Sequence, residues 1–463
     1  MPRCLLGAAV LVGLLACEAG GAGGGTGGGA GGASGGGTAQ GGGSGGTGGG
    51  ANHTGGGTSH TGGGASGTGV FSLDAFAFAE PSVAWSSSGG FRVAFTAGVA
   101  PATVQYGECA TNCGSAAGWQ YATLYSGDQL TGRAKVAVGD DGRAHVIYSR
   151  GSGLYYAVCS QRCTTASNWE TFHFSGALDG WQLEWRGTSL VVDTSGRVSF
   201  IIAAQDARVG IMTCPSNCMS AASWSNLTFT EGGRSSMVAQ GTTLHFVTST
   251  NERLVYWRCA SGCDTQAGWT STALNFTHDG NMPTALAVTP AGAVRIAYNQ
   301  GVADASEPQR VRDQDNRLLV WGCDANCEVQ SNYAGVIIGA VGAGSSGLSL
   351  AAAGTGIVVA SVDNTTHLAS VCENGCGERA NWQSAALDDT TALNSERDPF
   401  AAAPCGTAMT RPLAASWYPE NPAVALSSSG AALFVSGTHL LRQCTAASNS
   451  QRQAGYGRFI FSP

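Results

Sequence analysis

The chain predicts an all-β fold, a seven-bladed β-propeller of four-stranded antiparallel blades behind a glycine-rich tether. Three observations lead there. A phrase, Cys-x3-Cys followed by five residues and an aromatic, recurs along the chain. The hydrophobic pattern between its copies has period two. The composition changes abruptly near residue 70, from almost pure Gly, Ala, Ser and Thr to aromatics and branched aliphatics.

The chain opens with MPRCLLGAAVLVGLLAC. Arg3 gives a short positive start, and Leu5 to Ala16 is an apolar run too short to span a bilayer as a helix. This pattern predicts an export signal over residues 1–16. The run closes on Leu14-Leu15-Ala16-Cys17, which resembles the bacterial lipoprotein box. The resemblance implies cleavage before Cys17 and lipid attached to that residue. Several acyl chains on one residue anchor a protein stably.

Residues 18–69 hold 29 glycines among 52 positions, one acid (Glu18), and no Lys or Arg. Such a segment cannot bury enough apolar surface to offset its ordering entropy. With Cys17 it forms the expected tether, 17–69, with a root-mean-square span of roughly 40 Å.

The repeats occupy 70–463. The cysteine pairs are Cys109/Cys113, Cys159/Cys163, Cys214/Cys218, Cys259/Cys263, Cys323/Cys327 and Cys372/Cys376, and steps of 50, 55, 45, 64 and 49 residues separate their first members. Six residues after each second cysteine stand Trp119, Trp169, Trp224, Trp269, Tyr333 and Trp382. Each unit reads as four short strands. In the second unit these are AKVAVGD, AHVIYSR, LYYAVCS and WETFHFS, the first two joined by an Asp/Gly-rich turn. The third unit reads TSLVVDT, VSFIIAA, VGIMTCP and WSNLTFT. A worn seventh unit reads PAVALSS, AALFVSG, HLLRQC and GRFIFSP. Four strands per 45 to 55 residues mark a propeller, and period two excludes a helical solenoid. A pair of β-sandwiches is the structural alternative. VFSLDAF, 70–76, is an extra strand placed to close the ring on the last blade.

The recurring cysteines are staples rather than metal ligands. Zinc needs four ligands converging at about 2.3 Å, whereas these pairs are expected at the periphery of separate blades, with no histidine in register. In an oxidising compartment each pair closes on itself. Cys405 and Cys444 remain, and are expected to pair with each other. No metal and no cofactor is expected.

The repeat also resembles propeller units of exported lipoproteins from soil proteobacteria such as myxobacteria, carried by DDGRAHVIY, LYYAVC and the C-x3-C-x5-W phrase. Sialidase-type propellers are similar in shape, but their Ser-x-Asp-x-Gly-x-x-Trp box is met only by VVDTSGRVSF, which lacks the Ser and the Trp.

The net charge of −7, with no basic run, excludes nucleic acid as a natural partner. No HExxH, Gly-x-Ser-x-Gly or phosphate-loop motif is present. Candidate binding residues come from loops that break the period, on the face opposite the staples. They are Asp179, Trp181, Glu184, Trp185 and Arg186 in the third unit, and Glu307, Arg310, Arg312 and Asp313 in the fifth. The expected protein is a monomer, lipid-anchored at the outer membrane or cell surface. It binds a glycan, an envelope component or another protein without catalysis. The competing expectation is a carbohydrate-active enzyme, a glycoside hydrolase or polysaccharide lyase, using Asp179, Glu184, Glu307 and Asp313 as its carboxylates.

Overall fold

The structure is a computed structural model. It describes residues 69–73, 79–97, 102–127, 134–151, 153–174, 181–183, 190–204, 208–229, 232–249, 253–274, 283–303, 311–340, 347–363, 366–389, 414–443 and 450–462. Export signal, Cys17 and the tether up to residue 68 lie outside these residues, as does the Cys405/Cys444 pair; Gly69, expected in the tether, belongs to a strand.

Seven antiparallel sheets form the blades. Blade 1 runs Ala79–Trp85, Phe91–Ala97, Ala102–Cys109, Gln120–Gly127; blade 2 runs Ala134–Val138, Ala144–Arg150, Gly153–Cys159, Glu170–Phe174. Blades 4, 5 and 6 repeat this order from Ser235, Thr284 and Ser349. The first strand of each blade touches the first strands of both neighbours, and contact between blades 7 and 1 completes the ring. Each blade buries alternate residues against the next, so the core is divided among the interfaces; one cluster joins Phe91 and Phe95 of blade 1 to Leu433 and Phe459 of blade 7.

Neighbouring first strands do not pair as a sheet, so their buried N–H groups need other acceptors. Serine supplies them. Ser82 Oγ accepts from Val136 N at 3.1 Å, Ser236 Oγ from Leu286 N at 3.2 Å, and Ser349 Oγ from Val424 N at 3.1 Å.

Blade 7 corrects the sequence reading. AALFVSG and HLLRQC are not two strands but one, Ala432–Gln443, and GRFIFSP belongs to the third, Ser450–Ser462. Gly437-Thr438 looks like a turn, yet Gly437 stays paired with Glu420 on one side and Gly457 on the other. The fourth strand comes from the other end of the chain. Gly69–Leu73 pairs antiparallel with the third, Gly69 opposite Phe461, and Phe71 stacks on Phe459 at 4.8 Å. The extra N-terminal strand therefore closes the ring, as the sequence predicts.

Blade 3 departs from the plan as well. Its first strand is in two pieces, Trp181–Leu183 and Leu190–Val192, both paired with Val198–Ala204. Residues 184–189 intervene where the partner strand has the single residue Ile201, because Leu183 stands opposite Ile202 and Leu190 opposite Phe200.

Six of the seven predicted disulfides fall among the described residues, and all six are present: Cys109–Cys113, Cys159–Cys163, Cys214–Cys218, Cys259–Cys263, Cys323–Cys327 and Cys372–Cys376, with Cα–Cα distances of 5.6–5.7 Å. Each joins the end of a third strand to a short loop carrying one 3₁₀ turn. They sit on the outer strands, as the sequence predicts, because the first strands meet around the ring, and they are nonetheless buried. All six first cysteines are buried, and so are Cys113, Cys163, Cys263, Cys327 and Cys376; Cys218 is half-buried. Cys113 belongs to the apolar cluster between blades 1 and 7, Cys263 to that between blades 3 and 4, and Cys376 to that between blades 5 and 6. The physical reason is that a bonded sulfur pair is apolar and gains by leaving water, so the loop turns it towards the neighbouring blade. The staples therefore fill the interfaces as well as closing their loops.

The residue before the second cysteine has positive φ in every loop: Asn112, Arg162, Asn217, Gly262, Asn326 and Gly375. Gly and Asn suit that conformation and Arg does not. Arg162→Gly relieves about 1–2 kcal/mol of left-handed strain and loses about 0.4–1 kcal/mol to the freer unfolded chain. A rise of the denaturation midpoint is the expected result; a fall shows that the Arg162 side chain is stabilising.

Candidate functional site

The residues that build the stapled end recur from blade to blade. The indole N–H of Trp119, Trp169, Trp224, Trp269 and Trp382 donates to the carbonyl of its own second cysteine (Cys113, Cys163, Cys218, Cys263 and Cys376) at 2.8–3.1 Å. The same ring packs on the preceding blade: Trp169 on Tyr106, Trp224 on Tyr156, Trp269 on Phe229, and Trp119 on Phe459. Tyr333 takes this place in blade 5 against Tyr256. These rings are interface packing: Trp119, Trp269, Tyr333 and Trp382 are buried, and Trp169 and Trp224 half-buried.

One residue inward from the first cysteine, a cross-strand row faces the next blade. Its members are Arg92, Glu108 and Gln120 in blade 1, His145, Val158 and Glu170 in blade 2, and His245, Arg258 and Thr270 in blade 4. The row and the following blade's staple loop differ from interface to interface. Between blades 4 and 5 an ion pair bridges them: Arg258 Nη1 meets Glu328 Oε1 at 2.9 Å, Glu328 following Cys327 in the loop of blade 5. Between blades 2 and 3 the corresponding residues are Val158 and Met219, which form no such bridge. A cleft of about 530 Å³ lies there, within the usual range for small-ligand sites.

Asp141 and Arg143, on the turn between the first two strands of blade 2, stand at the cleft. The Asp141 carboxylate accepts from Arg143 N at 3.0 Å and pairs with Arg143 Nε at 3.1 Å. Glu170 lines the cleft from the fourth strand and is exposed, and its carboxylate has no hydrogen bond or ion pair within the described residues. Blade 3 contributes Ser195, Ser216 and Asn217, and Val158, Val192, Val198 and Met219 give an aliphatic surface.

His145 also borders the cleft but is only 5% exposed, its Nδ1 2.6 Å from Tyr156 Oη. Burial is the main cause that lowers its pKa to about 4, Arg143 adding to the shift and Asp141 opposing it; burial raises that of Tyr156. Near neutral pH the imidazole is uncharged and the phenol protonated. His245 and Tyr256 make the same 2.6 Å contact in blade 4. Recurrence in two blades identifies the pair as a packing device.

Asp193 is 2% exposed and belongs to the structure of its turn. Its Oδ1 accepts from the backbone N–H groups of Ser195 and Arg197 and from Ser195 Oγ, and its Oδ2 lies 2.7 Å from Arg197 Nη2.

Of the residues expected at a site, Asp179, Glu184, Trp185, Arg186, Glu307 and Arg310 lie outside the described residues. Trp181 begins the interrupted first strand of blade 3, paired with Ala204 at the end away from the staples. Arg312 and Asp313 stand on an extension of blade 5, where the second and third strands pair as far as Ala303 and Val311. These three residues thus stand at the face opposite the staples, on blades separated by blade 4. The cleft residues Asp141, Val158, Glu170 and Met219 were not expected. Aligning the repeats on their cysteines would have exposed them, because Val158 and Met219 stand where Arg258 and Glu328 stand two blades on.

No protein-family model matches this sequence, and no curated protein sequence matches it. Solved structures match in shape. An ulvan lyase of a polysaccharide-lyase family is 11% identical, with a TM-score of 0.46 over 82% of this chain and 94% of its own. The SapL1 lectin, solved with α-methyl fucoside, is 12% identical with a TM-score of 0.42 over 68% and 97%. TolB from Acinetobacter baumannii is 13% identical with a TM-score of 0.39, and this chain spans 64% of it. Likeness at this level describes the propeller shape alone.

Proposed function

We propose that the protein is an exported, lipid-anchored binding protein whose propeller holds a polar ligand, from a glycan or another envelope component, in the cleft between blades 2 and 3, and leaves it chemically unchanged. The observation that carries this reading is the contrast between two equivalent interfaces. One is bridged by Arg258 and Glu328; the other presents an unpaired carboxylate, a guanidinium and an aliphatic surface around about 530 Å³. Mixed polar and apolar lining on a rigid scaffold suits recognition. Chemistry finds little there: the cleft histidine is buried, uncharged and tied to a tyrosine. Export and anchoring are supported by the apolar run before Cys17 and by twelve cysteines closed into disulfides, which form and persist in oxidising compartments.

The protein's own bridged interface supplies the test. The double variant Val158→Arg, Met219→Glu copies the blade 4/5 bridge into the cleft. Binding of the intact protein to isolated envelope fragments and to a glycan panel is expected to fall at least tenfold, with the thermal midpoint held within a few degrees. Equal binding by the double variant and the wild type would sink the proposal.

A further inference from the structure

We infer that the cleft between blades 2 and 3 selects an uncharged or amine-bearing sugar residue and rejects uronic and sulfated ones; this rests on the binding role proposed for that cleft. The first argument is a charge inventory. Asp141, Arg143 and Glu170 are the cleft's charged groups, and His145 is buried against Tyr156. Arg143 is matched by Asp141, through the guanidinium at 3.1 Å and the backbone N–H at 3.0 Å. Nearby Arg197 is matched by Asp193 at 2.7 Å. The uncompensated charge is the carboxylate of Glu170. An anionic ligand would be repelled by it, while the charge of Arg143 is already offset by Asp141.

The second argument is shape and polarity. A pyranose has an apolar C–H face and an edge of hydroxyls. The cleft offers Val158, Val192, Val198 and Met219 to the first. To the second it offers Glu170, whose two oxygens can accept from neighbouring hydroxyls or from an ammonium group, together with the hydroxyls of Ser160 and Ser216. Hydrogen bonds from ligand hydroxyls to an ionised acceptor are the stronger class, so Glu170 is the principal contact.

The arrangement of the row supports the assignment. Glu170 holds the position taken by Gln120, Ser225, Thr270 and Gln383 in blades 1, 3, 4 and 6. These side chains are polar but uncharged. A carboxylate occurs there in the blade whose neighbour leaves the cleft open.

The test titrates the intact protein with methyl glycosides of the gluco, galacto and manno series, each as the neutral sugar, the 2-amino sugar and the uronic acid. Neutral and amino members are expected to bind, with the uronic acid of the same series at least tenfold weaker. Glu170→Gln is expected to abolish the preference of amino over neutral sugar and to narrow the gap to the uronic acid. A uronic acid that binds as tightly as its neutral partner overturns the inference, as does a preference unchanged by Glu170→Gln. If no sugar binds while the Val158→Arg, Met219→Glu variant loses envelope binding, the sugar assignment fails and the cleft keeps its role. If that variant binds envelope like the wild type, both fail.

Discussion

Reducing the six disulfides is expected to unfold the propeller at moderate temperature. Each closes a short ring, its cysteines four positions apart, and the loop-entropy relation gives about 2 kcal/mol for so short a ring. Six together give about 12 kcal/mol, comparable with the whole stability of an ordinary domain, about 5–15 kcal/mol. The loss extends beyond the loops. The carbonyl of the second cysteine accepts the indole N–H of the tryptophan packed on the preceding blade, so a loosened loop loosens an interface. Because the sulfurs face the interfaces, a strong reductant under mildly denaturing conditions is needed to reach them. Tryptophan fluorescence during urea unfolding, with and without reductant, reads the effect. A reduced protein unfolding at nearly the oxidised midpoint would show that the staples are dispensable. Replacing one pair, Cys159→Ala with Cys163→Ala, should cost about 2 kcal/mol.

Acidification has the second large effect. His145 and His245 have folded pKa values lowered to about 4, mainly by burial, against about 6.5 in an unfolded chain. The unfolded state takes up protons through pH 6.5 while the folded state resists them until about pH 4. Stability is therefore fully present above pH 6.5 and lost as pH falls towards 4. That difference corresponds to about 3 kcal/mol per histidine, about 6 kcal/mol for both. The informative window is pH 6.5 to 5, above the range in which ordinary carboxylates protonate. Denaturation midpoints should fall across it in the wild type. In His145→Gln, His245→Gln they should be nearly flat, from a lower plateau because each Tyr contact is altered. A wild-type slope retained by that double variant would assign the effect to other groups.

How much was legible from residues alone follows from where each feature is encoded. Strand and staple are local: AHVIYSR is a short run rich in branched and aromatic residues, and Cys159 and Cys163 sit in one loop. Both were predictable, and so was closure by the segment from Val70, an extra strand ahead of the first repeat. The direction in which the sulfurs turn was not, since the burial of Cys113, Cys263 and Cys376 depends on the neighbouring blade and not on their own loops. The strand count of blade 7 was also hidden. Gly437-Thr438 carries a turn composition, and continued pairing with Glu420 and Gly457 on both flanks overrides it. The break in the first strand of blade 3 escaped for a similar reason, since TSLVVDT reads as a whole strand and the earlier piece begins back at Trp181. The cleft is the least legible feature. Val158 and Met219 are bland residues on different blades, and they matter through what they fail to be. The insertions on the opposite face drew attention by length and charge, whereas length says where variation is tolerated and not which side chains converge.

The closing strand also has a mechanical meaning. Gly69 stands at the stapled end of blade 7 opposite Phe461, and the chain before it leaves from there. A pull on that chain along the strand direction loads the pairs from Gly69 to Leu73 together, in shear, with the Phe71–Phe459 stack sharing the load. A sideways pull would peel them one at a time. The strand that completes the ring is thus the first to bear any tension delivered through the N-terminal segment, and the direction of that tension sets how readily the ring opens.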